Sequence, residues 1–471
     1  MKTTILFILI SLFVLSNAYS TIRGVPGTYS TIQLGINAAA NGDTVLVEPG
    51  TYFENVNFRG KKIVVTSRFY LSNDLSYITS TVINGSTPVN PDSASVVIIG
   101  SGCDSTTVLQ GFKITGGTGT KWTDEHGAGV FREGGGVLTA LSSPVIRFNI
   151  IANNSVMNTT GVTGTGGGGI RAGDGMPRIL NNMVMYNTGK YGAGIVLNYT
   201  GATVKNNIIY GNSLSSTYNA GTAIWADNVL GTSKNLIENN TVVGNSSVNG
   251  TPGILSAFSA NIIVRNNIVW GNTGPGNIQM MVSGATLTAT YNDVQFGYTG
   301  AGNINIYPQF TDSNFVLLNS SPCIDAGDSS AVYNDPIDPL NPPNPKFPSK
   351  GTIRNDMGAY GGPLSAVIAV VKIIGIKNIN TEMPDGYILF QNYPNPFNPN
   401  TNIRFQIKEP GIVSLKIFNV EGREIESLLQ SNLKQGTYEV SFDGKSYASG
   451  TYFYKLTAGD YSQTKTMMLI K

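Results

Sequence analysis

The stretch between residues 118 and 134 concentrates side chains that could carry chemistry. It holds cations, an aromatic ring, carboxylates and the single histidine of the chain, in the order Lys121, Trp122, Asp124, Glu125, His126, Arg132 and Glu133. Carboxylates with a cation and an aromatic ring can bind a sugar chain or cleave it by general acid–base catalysis. A histidine can serve as the base near neutral pH. The alternative is a solvated loop insertion that binds nothing.

Two further residues join this candidate site if the chain folds into stacked coils. Arg171 and Asp174 follow a glycine-led strand signal one repeat later than residues 135–137. Equivalent strands of neighbouring coils lie about 4.8 Å apart, so we expect both residues near the stretch 118–134. The predicted catalytic residues are Asp124, Glu125, His126, Arg132, Arg171 and Asp174, with Trp122 as a ligand-binding ring.

Composition restricts the classes of protein to which the chain can belong. Of its 471 residues, 12% are charged, 41% are hydrophobic and 56 are glycines, and the formal net charge is +2. A chain with so little basic excess is not expected to bind nucleic acid, and one with this apolar content is not disordered. Many glycines with few charges indicate a β architecture with numerous tight bends.

The element that must position the candidate residues is an internal repeat. Five segments align without gaps: VIRFNIIANN at 145–154, RILNNMVMYN at 178–187, TVKNNIIYGN at 203–212, LIENNTVVGN at 236–245 and IVRNNIVWGN at 263–272. They recur every 25 to 33 residues or so, which is typical of stacked structural units. A glycine-led strand signal precedes each segment, and no helix periodicity separates them, which predicts coils of short parallel strands.

One asparagine column of this alignment predicts a structural ladder. Its members are Asn149, Asn182, Asn207, Asn240 and Asn267. Stacked amides can bond to the coils above and below, and asparagine tolerates the left-handed backbone of a bend. The alternative is a ladder that binds a ligand.

A second column should face outward from the glycine-led strands. It reads Leu138, Arg171, Val196, Trp225 and Leu255. If this stripe is exposed, Trp225 and Leu255 could bind a sugar face or a partner. It could equally lie beneath a covering loop.

From about residue 21 to 362 the chain resembles the right-handed parallel β-helix proteins of the pectin-lyase-like superfamily. The similar segments are YSTIQ at 29–33, GDTVLV at 42–47, PGTY at 49–52, GFKITGG at 111–117, SPCIDAGD at 321–328 and NDMGAYGG at 355–362. The resemblance implies a short helix that caps the first coil, and a closing segment at the far end. It implies little about activity, because the catalytic runs of the polygalacturonase-like and pectin methylesterase-like groups are missing. Residues 224–228 match the tryptophan strand of the pectate-lyase-like group only faintly.

A cluster of aspartates near the end of this region is a candidate metal site. Asp325, Asp328, Asp335 and Asp338 flank a proline-rich loop at 334–350. Oxygen-rich clusters of this kind can bind Ca²⁺. Calcium is therefore the one cofactor that the sequence suggests.

The N-terminus has the layout of a secretory signal peptide. One lysine precedes an apolar run over residues 5–15, and small residues then place the cleavage site after Ala18. A membrane anchor is the alternative, but the run is short for a span and no basic stop follows it. No other segment of the chain predicts a transmembrane span.

The last 80 or so residues differ in composition from the repeat region. Six short alternating segments predict a small β-sandwich. The runs NYPNPFN at 392–398, IFNVEGR at 417–423 and GTYFY at 450–454 resemble the type A sorting domain of the type IX secretion pathway. The resemblance implies passage across an outer membrane by that machinery, followed by secretion or attachment to the cell surface. An ordinary carbohydrate-binding or immunoglobulin-like sandwich is the alternative.

The sequence therefore predicts an all-β protein, a right-handed parallel β-helix solenoid followed by a small C-terminal β-sandwich. The expected divisions are a signal peptide at 1–18, the β-helix at 19–365, a linker at 366–386 and the sorting domain at 387–471. The absence of known catalytic motifs favours a protein that binds a polysaccharide or a cell-surface glycan. A lyase or hydrolase acting on acidic glycans and an adhesin-like structural passenger remain open.

Overall fold

The computed structural model describes residues 20–124, 126–214, 220–311, 314–368, 377–380, 384–409, 411–433 and 435–471. Within these ranges the protein is all-β, with long parallel sheets followed by antiparallel sheets. The predicted parallel β-helix is therefore confirmed. The expected signal peptide with its cleavage site at Ala18, and the candidate residue Glu125, lie outside the described residues.

Three parallel sheets run along the β-helix. Sheet 1 contains Ile22–Val25, Thr44–Val47, Val64–Ser67, Val108–Gln110, Val145–Arg147, Arg178–Leu180, Thr203–Lys205, Asn235–Glu238, Asn261–Arg265 and Thr286–Thr290. Sheet 2 contains Gly50–Tyr52, Thr81–Asn84, Lys113–Thr115, Ile150–Ala152, Met183–Met185, Ile208–Tyr210, Thr241–Val243, Ile268–Trp270 and Asp293–Val294. Sheet 3 contains Val56–Asn57, Val97–Ile99, Val137–Ala140, Ile170–Gly175, Ile195–Thr200, Ile224–Asp227, Ile254–Ala257 and Met280–Ser283.

Two smaller sheets and three short helices complete the coils. A corner sheet contains Ser155–Val156, Thr188–Gly189, Ser213–Leu214 and Ser246–Ser247. A covering sheet contains Ser93–Ala94, Gly119–Thr123, Val130–Glu133 and Gly164–Gly166. The helices are α1 (Ile32–Ala38), α2 (Phe69–Ser72) and α3 (Ser76–Ser80), with 3₁₀ turns at Pro275–Asn277, Ala331–Tyr333 and Gly444–Ser446.

The coils stack because their inward positions form continuous apolar columns. In sheet 1 the column includes Ile146, Ile179 and Val204, which pair in register and are fully buried. Sheets 2 and 3 supply equivalent columns to the same core. Each buried aliphatic side chain contributes roughly 1.5–3 kcal/mol. No single coil could bury these residues, so neighbouring coils depend on one another.

Stacked asparagines connect successive coils between sheets 1 and 2. Each asparagine donates its backbone N–H and its Nδ2 to Oδ1 of the next one in the order Asn149, Asn182, Asn207, Asn240, Asn267, Asn292 and Asn303. A second ladder runs through Asn154, Asn187, Asn212, Asn245 and Asn272 to Gln279. The ladders satisfy polar groups that are otherwise buried in the stack.

The left-handed backbone at this bend lies one residue earlier than the sequence suggested. It occurs at Phe148, Asn181, Asn206, Asn239 and Asn266, whose φ angles lie between 51° and 57°. The ladder asparagine that follows turns its side chain into the stack. Where the repeat has two adjacent asparagines, the first therefore forms the bend and the second belongs to the ladder.

Helix α1 covers the first coil, as the resemblance implied. Thr31 caps it by accepting a hydrogen bond from the backbone N–H of Leu34 at 3.1 Å. The Glu54 carboxylate accepts the free backbone N–H groups of Ile32 and Gln33, which suits a negative charge at a helix N-terminus. The helix buries Ile32 and Ile36 in the core and so seals its apolar end.

A closing segment, residues 305–311 and 314–368, runs back along the outer face of sheet 2. Its apolar residues Phe315, Tyr360 and Ile368 pack on the outward side chains Met183 and Ile208. The bend asparagines hold its backbone: Asn239 Nδ2 donates to Asp356 O, Asn206 Nδ2 to Ala359 O and Gly361 O, and Asn181 Nδ2 to Leu364 O. The closing segment packs on the β-helix as far as Ile368.

Two aspartates inside the closing segment are buried with few neutralising charges. Asp335 accepts backbone N–H groups of Asp356 and Gly362, while Asp356 accepts those of Asp325 and Lys350. Burial, reinforced by the charge of Asp356, raises the pKa of Asp335 to about 8. Burial also raises the pKa of Asp356 to about 7. Both carboxyls are consequently held in their protonated form more firmly than in an unfolded chain.

We expect the β-helix to lose stability as the pH rises from about 5 to about 8.5. A raised pKa means that the folded chain binds more protons than the unfolded chain in this window, so each such carboxyl lowers stability by up to ~1.4 kcal/mol per pH unit. Urea unfolding at about pH 5 and about pH 8.5 gives the free energy of unfolding at each pH, and the difference gives its slope with pH. The variant Asp335→Asn should show a shallower slope than the wild type, because it lacks this carboxyl. A residual slope should remain, because the pKa values of Asp227, Asp293 and Asp356 are raised as well. Equal slopes would contradict the assignment to Asp335.

The C-terminal region is the predicted β-sandwich. One antiparallel sheet contains Lys377–Asn380, Ile388–Leu389, Asn400–Ile407 and Gly436–Asp443, and the other contains Gly411–Phe418, Glu424–Leu433, Gly450–Ala458 and Tyr461–Leu469. Strict alternation in Asn400–Ile407 turns Ile403, Phe405 and Ile407 into the core between the sheets. The strand Lys377–Asn380 pairs antiparallel with Gly436–Asp443.

Candidate functional site

The stretch predicted as a loop folds as a β-hairpin. Gly119–Thr123 pairs antiparallel with Val130–Glu133, with Trp122 opposite Phe131. Asp124 forms the turn by accepting the backbone N–H groups of His126 and Ala128. It is 5% exposed. These residues are therefore not the solvated loop insertion that was the alternative, since one aspartate satisfies two backbone donors.

The hairpin covers the outward stripe of sheet 3. Leu138, Arg171, Val196, Trp225 and Leu255 pair in register along the sheet and are all buried. Phe131 and Tyr191 pack over this stripe, and the Tyr191 and Trp225 rings meet edge to face at 4.5 Å. Of the two arrangements that the sequence left open for Trp225 and Leu255, the structure has the buried one.

Arg171 lies at the centre of a buried polar cluster under the hairpin. Its Nε is 3.2 Å from Glu133 Oε2, and its guanidinium lies 4.0 Å from the centre of the Trp122 ring. Glu133 also accepts hydrogen bonds from Trp122 Nε1 and the Tyr191 hydroxyl. Arg171 and Glu133 are 0% and 2% exposed. Both side chains are therefore used to attach the hairpin to the sheet.

Arg132 is likewise committed to the hairpin. Its guanidinium donates to the backbone oxygens of Pro91 and Gly119 and to Asp92 Oδ1. Arg132 stands opposite Lys121 on the face away from Trp122, because cross-strand partners share a face. The two arginines predicted as catalytic are thus buried and bonded within the fold.

His126 and Asp174 form a partly exposed pair at the edge of the hairpin. His126 Nε2 lies 2.7 Å from Asp174 Oδ1, and the imidazole is stacked on the Tyr199 ring at 3.5 Å. The His126 side chain is 36% exposed, while that of Asp174 is 7% exposed. Asp174 Oδ2 has no hydrogen-bond partner among the described residues. Within this pair, the imidazole is the side chain that solvent reaches.

A column of left-handed bends at the end of sheet 3 positions these residues. It is called the corner column here, and it consists of Leu141, Asp174, Tyr199, Asn228 and Phe258, with φ angles between 48° and 58°. Successive members belong to successive coils, so their side chains follow one another along the β-helix. Phe258 is 61% exposed. The column therefore presents an aromatic ring, an amide and a second aromatic ring beside the His126–Asp174 pair.

Asp227 lies beside this column and carries an unusual carboxyl. It follows Gly173 and Asn198 in register on the outer face of sheet 3. Burial, with the nearby charges of Glu133 and Asp124, raises the pKa of Asp227 to about 7. Asp227 Oδ1 accepts a hydrogen bond from Asn228 Nδ2 at 2.7 Å. A carboxyl of this kind can hold a proton near neutral pH and release it.

Sequence reasoning did not select Tyr199, Asp227 or Phe258. Tyr199 and Phe258 lie three residues after an outward member of sheet 3, as Asp174 does, so extending the alignment by that distance would have aligned them with Asp174. Asp227 lies one place earlier in its coil, in register with Gly173 and Asn198. The faint match at residues 224–228 contains Asp227. Its neighbour Asp124 could not be located from the alignment, because the hairpin has no counterpart in the other coils among the described residues.

The predicted calcium ligands are used within the closing segment. Asp325 accepts the backbone N–H and hydroxyl of Thr352, Asp328 those of Ser330, and Asp338 the backbone N–H of Leu340. With Asp335 bonded to Gly362 and Asp356, these carboxylates organise turns. In the described part of the chain, no group of three or more metal-binding side chains comes together.

Comparison with known proteins concerns the C-terminal region. Residues 391–471 match the family described as the secretion system C-terminal sorting domain. None of the curated proteins matches the chain. Among the described residues no helix has the length and apolar character needed to cross a membrane. The chain is thus a parallel β-helix that carries a type IX sorting domain, which directs it to secretion and attachment at the cell surface.

Proposed function

We propose that the β-helix binds a polysaccharide along the corner column, at the edge of the covering hairpin. The observation that carries this proposal is the imidazole of His126, which is held by Asp174, stacked on Tyr199 and still partly exposed. Aromatic faces with a polar rim are suited to sugar rings, which have apolar faces and hydroxyl edges. Phe258 continues the same column two coils beyond Tyr199, so an extended chain could contact both rings.

Cleavage of the bound chain is the second candidate function. Glycan cleavage needs one group that accepts a proton and one that donates it. The His126–Asp174 pair fits the first role, and Asp227, with its pKa near 7, fits the second. Arg171 and Arg132, both buried and bonded, do not enter this proposal.

Replacing the two aromatic members of the corner column tests the binding proposal. We expect Tyr199→Asn and Phe258→Asn each to weaken binding to glycans immobilised on an array by ~10-fold, or ~1.4 kcal/mol. Asparagine is chosen because both positions have a positive φ, which asparagine tolerates. Phe296→Asn is the matched control, since Phe296 has a φ of 67° and is also 61% exposed.

The result that contradicts the proposal is wild-type binding by both column variants, or an equal loss in the Phe296→Asn control. The same array ligands, incubated with the protein and sized by mass spectrometry, test cleavage. Shorter products that appear with the wild type and vanish with Asp227→Asn would establish the second function. If the glycans remain intact, the experiment supports binding and not cleavage.

A further inference from the structure

The far end of the β-helix has two open strand edges. Among the described residues, sheet 1 ends at Thr286–Thr290 and sheet 3 ends at Met280–Ser283, and each of these strands is paired on one side only. Sheet 2 ends differently, because Asp293 in its last strand forms a further bridge to Ile304. An unpaired strand edge presents backbone N–H and C=O groups that can bind another strand.

The open edge has none of the usual protection against pairing. Residues 266–311 contain one charged residue, Asp293, and it is fully buried. The two terminal strands contain no proline or lysine, which are the residues that commonly block an edge. Ile278 and Val282 are each 43% exposed, and Leu287 is only partly buried against the core. A neutral, partly apolar edge of this kind is suited to binding another strand.

The opposite end of the β-helix is closed. Helix α1 covers the first coil, and Lys61 Nζ donates hydrogen bonds to three backbone oxygens at the end of that helix. The first strand of sheet 1 carries Arg23, which is ion-paired with Asp43 at 2.9 Å. The open end of one copy therefore cannot stack on the first coil of another. Two copies can meet only through their open ends.

The hydrogen bonds of the last strand of sheet 1 show which backbone groups face the open edge. The backbone N–H of Thr286 donates to Ala260 O in the preceding coil. Successive residues of a strand direct their backbone groups to opposite sides, so the N–H and C=O of Leu287 point towards the open edge. Thr286 and Thr288 on either side are exposed. Leu287 is therefore the residue at which a second strand can form its central pair.

We propose that two copies of this chain associate end to end through the last strand of sheet 1, which pairs antiparallel with its own copy. A twofold axis at Leu287 lets its N–H and C=O bond to the C=O and N–H of the same residue in the partner. Thr286 then lies opposite the partner's Thr288. The two Leu287 side chains cover the partly exposed ends of both cores.

The lack of charge at this end supports a second copy as the occupant. At a twofold axis each residue lies near its own equivalent, so any charge there would be repelled by the same charge in the partner. A different protein could instead supply the opposite charge, and charged rims of that kind commonly steer association between unlike partners. An end with a single, buried charged residue therefore fits self-association.

Sedimentation velocity of the full chain tests the proposal. We expect the wild type to convert from monomer to dimer between ~1 and ~100 µM. Thr288→Lys should weaken the association at least ~10-fold, because the two lysines lie close to the axis and like charges across strands repel. Adding Thr286→Glu to Thr288→Lys should restore it, since each glutamate then lies opposite a partner lysine. Thr51→Lys is the control, at an exposed strand position near the first coil, and should associate as the wild type does.

Three results would overturn the proposal. One is a wild type that remains monomeric at every concentration, which would leave the open edge to a different partner. Another is a dimer that Thr288→Lys does not weaken, because the contact would then lie elsewhere in the chain. The third is a loss that Thr286→Glu does not restore, which contradicts antiparallel pairing at Leu287. Recovery in the double variant also excludes misfolding as the cause of the loss, because that variant contains the same lysine.

Discussion

Replacing Arg171 with methionine is expected to destabilise the β-helix by about 3–5 kcal/mol, because it leaves Glu133 as a buried charge without its ion pair. Glu133 is 2% exposed and keeps only the neutral donors Trp122 Nε1 and the Tyr191 hydroxyl. Methionine fills a similar volume but offers no charge. The Trp122 ring also loses the guanidinium that lies 4.0 Å from its centre. Urea unfolding at neutral pH measures the loss.

A double-mutant cycle shows whether the loss comes from the ion pair. The double variant Arg171→Met, Glu133→Gln should be more stable than the sum of the two single changes predicts, because neither charge remains. Arg178→Met is the matched control, since Arg178 is an exposed arginine of the same repeat, and it should change stability by less than ~0.5 kcal/mol. Additive single changes would show that Arg171 and Glu133 do not act as a pair.

The second large effect is expected at the centre of the first asparagine ladder. Asn207→Leu should destabilise the protein by about 3–5 kcal/mol, because several buried groups lose partners at once. Asn207 Oδ1 accepts both the backbone N–H and Nδ2 of Asn182. Its Nδ2 donates to Ile179 O, Lys205 O and Asn240 Oδ1. Leucine supplies none of these bonds and is wider than the amide that it replaces.

Thr203→Leu is the control for this substitution. Thr203 belongs to the strand of sheet 1 that ends two residues before Asn207, and it is half-buried between Arg178 and Leu236. The same new side chain should be tolerated there to within about 1 kcal/mol. Equal melting temperatures of the Asn207→Leu variant and the wild type would show that the ladder bonds contribute little to stability.

Sequence reasoning predicted the parts of this protein that repeat. Ile146, Ile179 and Val204 align in the sequence for the same reason that they stack in the structure: each coil must present an apolar side chain to the one above. The ladder asparagines Asn182 and Asn207 are repeated because a buried amide needs a matching amide in the next coil. The sequence also predicted the sorting domain, because its short motifs occur together within residues 391–471.

Features that do not repeat could not be predicted from the alignment. In the described part of the chain, the hairpin formed by Gly119–Thr123 and Val130–Glu133 has no counterpart in the other coils, so the alignment could not indicate its fold. The bonds of the bend asparagines Asn206 and Asn239 to the closing segment were not predicted, because that segment lies more than a hundred residues away in the chain. Nothing local in the sequence specifies that contact.

The sequence by itself determined the coil, its inward columns and its export domain, because these depend on spacing along the chain. The tertiary structure decided which polar residues are structural and which are accessible. It buried Arg171 and Arg132, left His126 at the edge beside Asp174, and brought Asp227 and Tyr199 into the same site. The physical reason is that burial and electrostatic environment arise from all neighbouring segments together, whereas periodicity arises from one segment and its own repeats.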